Sequence, residues 1–88
     1  MTQTVTAINM PQISLGSEGE AVRFLQKLFI RYGYYTGSFD AKFGNLTKKA
    51  VENFQQYYNQ TQNPATPLKV DGIVGKFTWR AISEICLL

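Results

Sequence analysis

Apolar residues fall into three stretches at helical spacing, separated by polar and glycine-containing connectors. In the first stretch, Ala21, Val22, Leu25, Leu28, Phe29 and Tyr32 recur at intervals that place them on one helix face. Ser17-Glu18-Gly19-Glu20 fits a capping box, so this helix is predicted to start at Ser17, and Gly33 is placed to end it in left-handed backbone. In the second, Leu46, Ala50, Val51, Phe54 and Tyr58 share a face, and a start near Gly44-Asn45 is predicted. In the third, Trp79, Ile82, Ile85 and Cys86 form the stripe of a helix beginning near Gly75-Lys76. Tyr34 to Phe43 reads as a connector, Asn59 to Pro67 as a polar loop, and Lys69-Val70-Asp71-Gly72 as a tight turn that needs Gly72. Residues 1–14 show no period and contain Pro11, so they read as a flexible N-terminal arm ahead of a domain spanning 15–88. Three amphipathic helices joined by loops predict an all-α fold, a small three-helix bundle.

The connectors and helix starts repeat. Phe39-Asp40-Ala41-Lys42-Phe43-Gly44-Asn45-Leu46-Thr47-Lys48-Lys49-Ala50-Val51 and Val70-Asp71-Gly72-Ile73-Val74-Gly75-Lys76-Phe77-Thr78-Trp79-Arg80-Ala81-Ile82 share one pattern. It is apolar-Asp-x-x-apolar-Gly-x-x-Thr-x-x-Ala-apolar. A weaker third copy, Ala21-Val22-x-x-Leu25-Gln26, matches Ala50-Val51-x-x-Phe54-Gln55. A period near thirty residues predicts three related helical units and an internal turn-helix repeat.

Composition narrows the class. The 88 residues make one domain with a small core, and a 44% hydrophobic fraction argues for a folded chain. No apolar stretch approaches the ~20 residues of a membrane span. Residues 1–9 have neither the basic nor the apolar region of a signal peptide, so export would require a mature form or an excised fragment. The net charge is +3, and Arg23, Lys27 and Arg31 line one predicted helix face. That is a solvated polar face, sparser than the basic patch of a nucleic-acid binder.

Candidate chemistry is sparse. The chain has no histidine, which removes the commonest general base and the commonest zinc ligand. Cys86 is the single cysteine, falls on an apolar stripe and reads as a small buried hydrophobe. Asp40 and Asp71 admit a carboxylate-pair reading, but their place in a repeated turn favours Asx-turn acceptors. Thr47 and Thr78 suit first-turn capping more than ligand contact. The Gln26 and Gln55 amides either bind ligand or tie helices together. Asn45-Leu46-Thr47 and Asn59-Gln60-Thr61 match the glycosylation acceptor pattern. Among the aromatics, Phe43 and Trp79 are expected in the core. Tyr34 and Tyr35 are adjacent in a connector, so an extended backbone there would turn one inward and leave the other for a ligand.

Leu15-Gly16-x-x-Gly19-x-Ala21-Val22-x-x-Leu25-Gln26-x-Leu28, then Gly33-Tyr34-Tyr35-x-Gly37-x-Phe39-Asp40-x-x-Phe43-Gly44-x-x-Thr47-x-x-Ala50-Val51-x-x-Phe54-Gln55, then Val70-Asp71-Gly72-x-Val74-Gly75-x-x-Thr78-Trp79 form an ordered set. That set resembles the type 1 peptidoglycan-binding domain, from about Leu15 to Ile82. The resemblance implies a three-helix module that attaches a partner or associated wall-active enzyme to the bacterial cell wall. The chain departs from the family pattern at Ala41, where glycine is usual, and in a longer segment from Tyr57 to Pro67. A Cβ in a positive-φ turn costs about 1 kcal/mol, so the first turn is expected to differ from the Asp71-Gly72 turn.

The resulting expectation is non-catalytic binding of peptidoglycan by a monomer without cofactor or metal, with no nucleic-acid partner and no membrane span. The place of action would be the cell envelope, periplasm or wall, if the chain is exported. Ligand contacts are expected from Tyr34, Tyr35, Asp40, Gly44, Thr47, Asp71, Gly75 and Thr78. A protein–protein interaction or regulatory module on the same three-helix fold is the alternative.

Overall fold

The computed structural model describes residues 10–86. They form three helices, α1 (Glu20–Tyr32), α2 (Asn45–Gln62) and α3 (Lys76–Cys86). The predicted stripes meet in one core, where Val22, Leu25, Phe29, Val51, Phe54, Trp79 and Ile82 are buried. Phe29 lies 5.4 Å from Phe54, and Phe24 stacks on Trp79 at 6.3 Å, so aromatic pairs join α1 to both other helices. No described helix is long and apolar enough to cross a membrane. Cys86 is buried in this core, and loss of solvation pushes its thiol up to about 11.

Helix ends follow local chemistry, with two departures from expectation. α1 ends at Gly33 with φ 84°, and the Tyr34 N–H donates back to the Phe29 carbonyl at 2.8 Å. Its start lies three residues beyond the expected Ser17, and no capping box forms. Ser17 is occupied elsewhere: its Oγ accepts from the Ser14 N–H at 3.0 Å and its carbonyl accepts from the Phe43 N–H at 2.8 Å. The second of these bonds, with that from the Gly19 N–H to the Ala41 carbonyl at 3.0 Å, flanks the crossing of Glu18 with Lys42, an isolated antiparallel bridge that ties the start of α1 to the first turn. The second departure is α2, which runs to Gln62, so Asn59–Gln62 are helical rather than loop. Polar residues there leave no apolar period, yet nothing breaks the helix before Asn63. That residue takes φ 46°, and Pro64 follows.

Residues 10–14, read from the sequence as the end of an arm, are packed on the bundle. Ile13 is buried, and its N–H and carbonyl pair with Val74 at 3.1 and 2.9 Å. The Pro11 carbonyl accepts from the Trp79 indole N–H at 2.8 Å, which satisfies the polar atom of the largest core side chain. The rest of the expected arm, residues 1–9, lies outside the described residues.

Candidate functional site

Two buried glutamines organise the two repeated turns, and this resolves their role in favour of tying elements together. The Gln26 Nε2 on α1 donates to Asp40 Oδ1 at 3.2 Å, the Lys42 carbonyl at 3.0 Å and Thr47 Oγ1 at 3.2 Å. The Gln55 Nε2 on α2 donates to Asp71 Oδ1 at 3.2 Å, the Ile73 carbonyl at 3.0 Å and Thr78 Oγ1 at 3.2 Å. Both amide oxygens accept backbone N–H groups, from Ala41 at 2.9 Å and from Asp71 and Gly72 at 3.1 Å each. Each aspartate also caps its own turn, Asp40 Oδ1 accepting from the Lys42 N–H and Asp71 Oδ1 from the Ile73 N–H, both at 3.0 Å. These are Asx-turns, as their place in the repeated turn predicts. The Lys42 N–H, and after it the Gln26 amide, hold the Asp40 carboxyl below the usual carboxylate range.

The turns do not differ as expected from Ala41. Ala41 has φ 61° and Gly72 φ 75°, so one geometry serves both. Neighbours explain why only one position carries a Cβ. An added Cβ at Gly72 would meet Lys48 Cγ at 2.6 Å. In the repeat, the residue equivalent to Lys48 is Gly19, just ahead of α1, whose N–H donates to the Ala41 carbonyl at 3.0 Å. Where α2 has a side chain over the turn, α1 has none.

Above each turn lies a hollow. The larger, about 870 Å³, opens at the start of α3. Its lining includes Asp71, Ile73, Gly75, Lys76, Phe77 and Thr78 from the repeat, and Pro64, Pro67, Leu68 and Lys69 from the segment after α2. The smaller, about 230 Å³, opens at the start of α2 over Asp40, Lys42, Gly44, Asn45, Leu46 and Thr47, with Tyr35 and Ser38 beside them. The six repeat positions correspond one to one. In both helices the first intrahelical bond falls after these residues, from Lys48 to Gly44 and from Trp79 to Gly75. The amides of the first turns therefore precede the helical ladder at the floor of each hollow.

Seven of the eight expected contact residues line a hollow, and Tyr34 lines neither. Tyr34 instead packs 5.2 Å from both Phe29 and Phe54 and 6.0 Å from Tyr57, and burial pushes its phenol pKa upward. Tyr35 is the inward member of the pair, its hydroxyl donating to the Ser38 carbonyl at 2.6 Å. Thr47 and Thr78 are buried with their hydroxyls held by the glutamines, so they shape the floor. Each glycosylation acceptor pattern has one member exposed, Asn45 and Thr61, and the other engaged in the fold. Thr47 is buried, and the Asn59 amide is bound to Leu68 through its N–H and carbonyl, both at 2.8 Å.

Sequence reasoning missed the residues that give the larger hollow its character. Phe77 and Leu46 stand 66% exposed at the same repeat position, although Leu46 was expected on the core face. The core stripe of α2 starts one position later, at Thr47. Lys69, Lys76 and Arg80 supply positive charge against Asp71 and Glu84, and the Glu84 carboxylate accepts from the Tyr58 hydroxyl at 2.6 Å. That bond, ahead of burial, raises the Tyr58 pKa. An apolar residue off the core stripe at a helix start was the available signal. Among the described residues, no group of three His, Cys, Asp or Glu side chains is arranged to hold a metal.

Comparison with known proteins places this architecture. A family model described as "Putative peptidoglycan binding domain" matches residues 18–63. The zinc D-Ala-D-Ala carboxypeptidase of Streptomyces albus G is 40% identical over 78 residues, covering 83% of this chain and 26% of the enzyme. The spore cortex-lytic enzyme of Bacillus subtilis is 35% identical over 77 residues, covering 88% of this chain and 23% of the enzyme. The chain thus spans about a quarter of the length of these two relatives. The crystal structure of the SleB N-terminal domain superposes with a TM-score of 0.73 at 33% identity, over 85% of this chain and 92% of that domain. With the family model, the solved neighbour and the repeated turn-helix frame in agreement, the chain belongs to the peptidoglycan-binding domain family.

Proposed function

We infer that the chain attaches to bacterial peptidoglycan through the larger hollow, without catalysing a reaction on it. The observation that carries this reading is the lining of that hollow. An exposed Phe77 with Tyr58 and Leu68 offers apolar surface, and Lys69, Lys76 and Arg80 surround a helix start. Apolar walls with a few convergent cations suit a short peptide whose carboxylate meets the first-turn amides of α3 and whose aliphatic side chains lie against the walls. A stem peptide of the wall has that chemistry. Asp40 and Asp71 are committed to their turns and Cys86 is buried without a base beside it, which supports a binding role rather than a hydrolytic one. Two relatives named for enzymes of which the chain spans about a quarter fit a module that delivers a separate activity to the cell envelope.

Sedimentation with purified sacculi tests this. The wild-type domain is expected in the pellet without added metal, and Phe77→Asp is expected to return it to the supernatant. Tyr34→Phe, which touches neither hollow, should leave the distribution unchanged. A wild-type domain that stays soluble across salt and pH, or a Phe77→Asp variant that still sediments fully, would sink the reading.

A further inference from the structure

We propose that the smaller hollow at the start of α2 is a second ligand site of the same chemistry, so that one domain holds two wall peptides at once; this rests on the reading of the larger hollow given above. Four features carry it. Both hollows stand on the same rigid frame, a buried glutamine whose amide meets aspartate, carbonyl and threonine at 3.2, 3.0 and 3.2 Å in each copy. The frame alone would account for a structural repeat. It does not account for Leu46 and Phe77, which occupy the same position and are each 66% exposed. A packing role would bury them; instead each stands at the rim of its hollow. The third feature is charge. At the paired positions 42/73 and 45/76, one hollow has Lys42 and Asn45 and the other Ile73 and Lys76, so one lysine falls at these positions in each although its place has moved. The fourth is the start of α2 itself, where Gly44 gives no side-chain cap and the amides of residues 45–47 precede the helical ladder beneath the hollow.

Size separates the two sites. The segment Pro64–Lys69 walls the larger hollow, and no such segment lines the smaller one. With about 230 Å³ against about 870 Å³, the smaller site accommodates a peptide carboxylate and one small aliphatic side chain against Leu46, and little more. The Asp40 carboxylate also lines it; its Oδ1 is engaged by Gln26 and the Lys42 N–H, and the Lys42 side chain supplies the opposite charge. Binding there is consequently weaker. It gains value on a polymer that presents peptides repeatedly, because a domain held at one site meets the second peptide at high effective concentration.

A nitrogen–proton correlation NMR titration of the full chain with soluble muropeptides from digested walls tests this. Two separate sets of amides are expected to shift, residues 76–78 first and residues 45–47 at roughly tenfold higher ligand. Leu46→Asp, at an exposed position where an acidic residue suits a helix start, should remove only the second set and lower retention on intact sacculi several-fold. Shifts confined to residues 76–78, or retention unaffected by Leu46→Asp, would overturn the second site and leave the first intact. Absence of shifts at both helix starts would overturn both.

Discussion

Gln26 and Gln55 each join a helix to one of the two repeated turns. Each is buried, and each satisfies a turn that would otherwise leave amide, carbonyl and hydroxyl groups unpaired. Gln55→Leu keeps most of the volume but orphans the Asp71 and Gly72 amides and the Thr78 hydroxyl. We expect a loss of about 2 kcal/mol or more in denaturant melts. The turn residues are expected to respond unequally. Gly72→Ala places a Cβ at φ 75° and against Lys48, and should cost about 1 kcal/mol or more. Ala41→Gly relieves a φ of 61° while loosening the unfolded chain; the effects oppose, and stability should hold or rise by up to about 1 kcal/mol. Equal losses in the two variants would contradict this account. Both aspartates and both threonines could be found in the sequence because they recur in register. The glutamines recurred too, but the chain alone held no clue to which of their two possible roles applied, since that depends on burial.

At the scale of elements, helix identity was readable and helix length was not. Apolar period marks where a helix touches the core, and α2 continues past its last core contact, so its final turn was invisible to periodicity. That turn has a use. Asn59, part of it, holds the Leu68 N–H and carbonyl together, which fastens the wall segment of the larger hollow to α2. Asn59 does not itself line the hollow. Asn59→Ala should therefore cost only about 1 kcal/mol of stability, the worth of two partly buried hydrogen bonds. It should also weaken sedimentation with sacculi several-fold, because the wall segment is no longer fixed. A stability loss with unchanged sedimentation would mean that the segment is not part of the binding surface. The start of α1 shows the opposite error: Ser17 and Glu20 had the spacing of a capping box, but backbone pairing with the first turn claimed Ser17 instead.

For the whole molecule, the bundle and its repeated turns followed from pattern, whereas the attachment of residues 10–14 did not. One apolar side chain, Ile13, has no period, and its partner Val74 lies in the far half of the chain. The indole bond from Trp79 to Pro11 likewise closes a separation of 68 residues, against 14 and 16 for the glutamine-to-aspartate bonds. That contrast has a kinetic consequence. Closing a long loop costs more entropy than closing a short one, so the turns and helices are expected to assemble first and the leading segment to dock onto a nearly finished bundle. Ile13→Ala would then remove a contact made after the rate-limiting step. Stopped-flow measurements should find unfolding faster by one to two orders of magnitude and refolding nearly unchanged, for a loss of about 2 kcal/mol or more. A domain that assembles in this order also comes apart in reverse. Its first opening peels residues 10–14 from α3 and wets the Trp79 indole while the three helices still hold together.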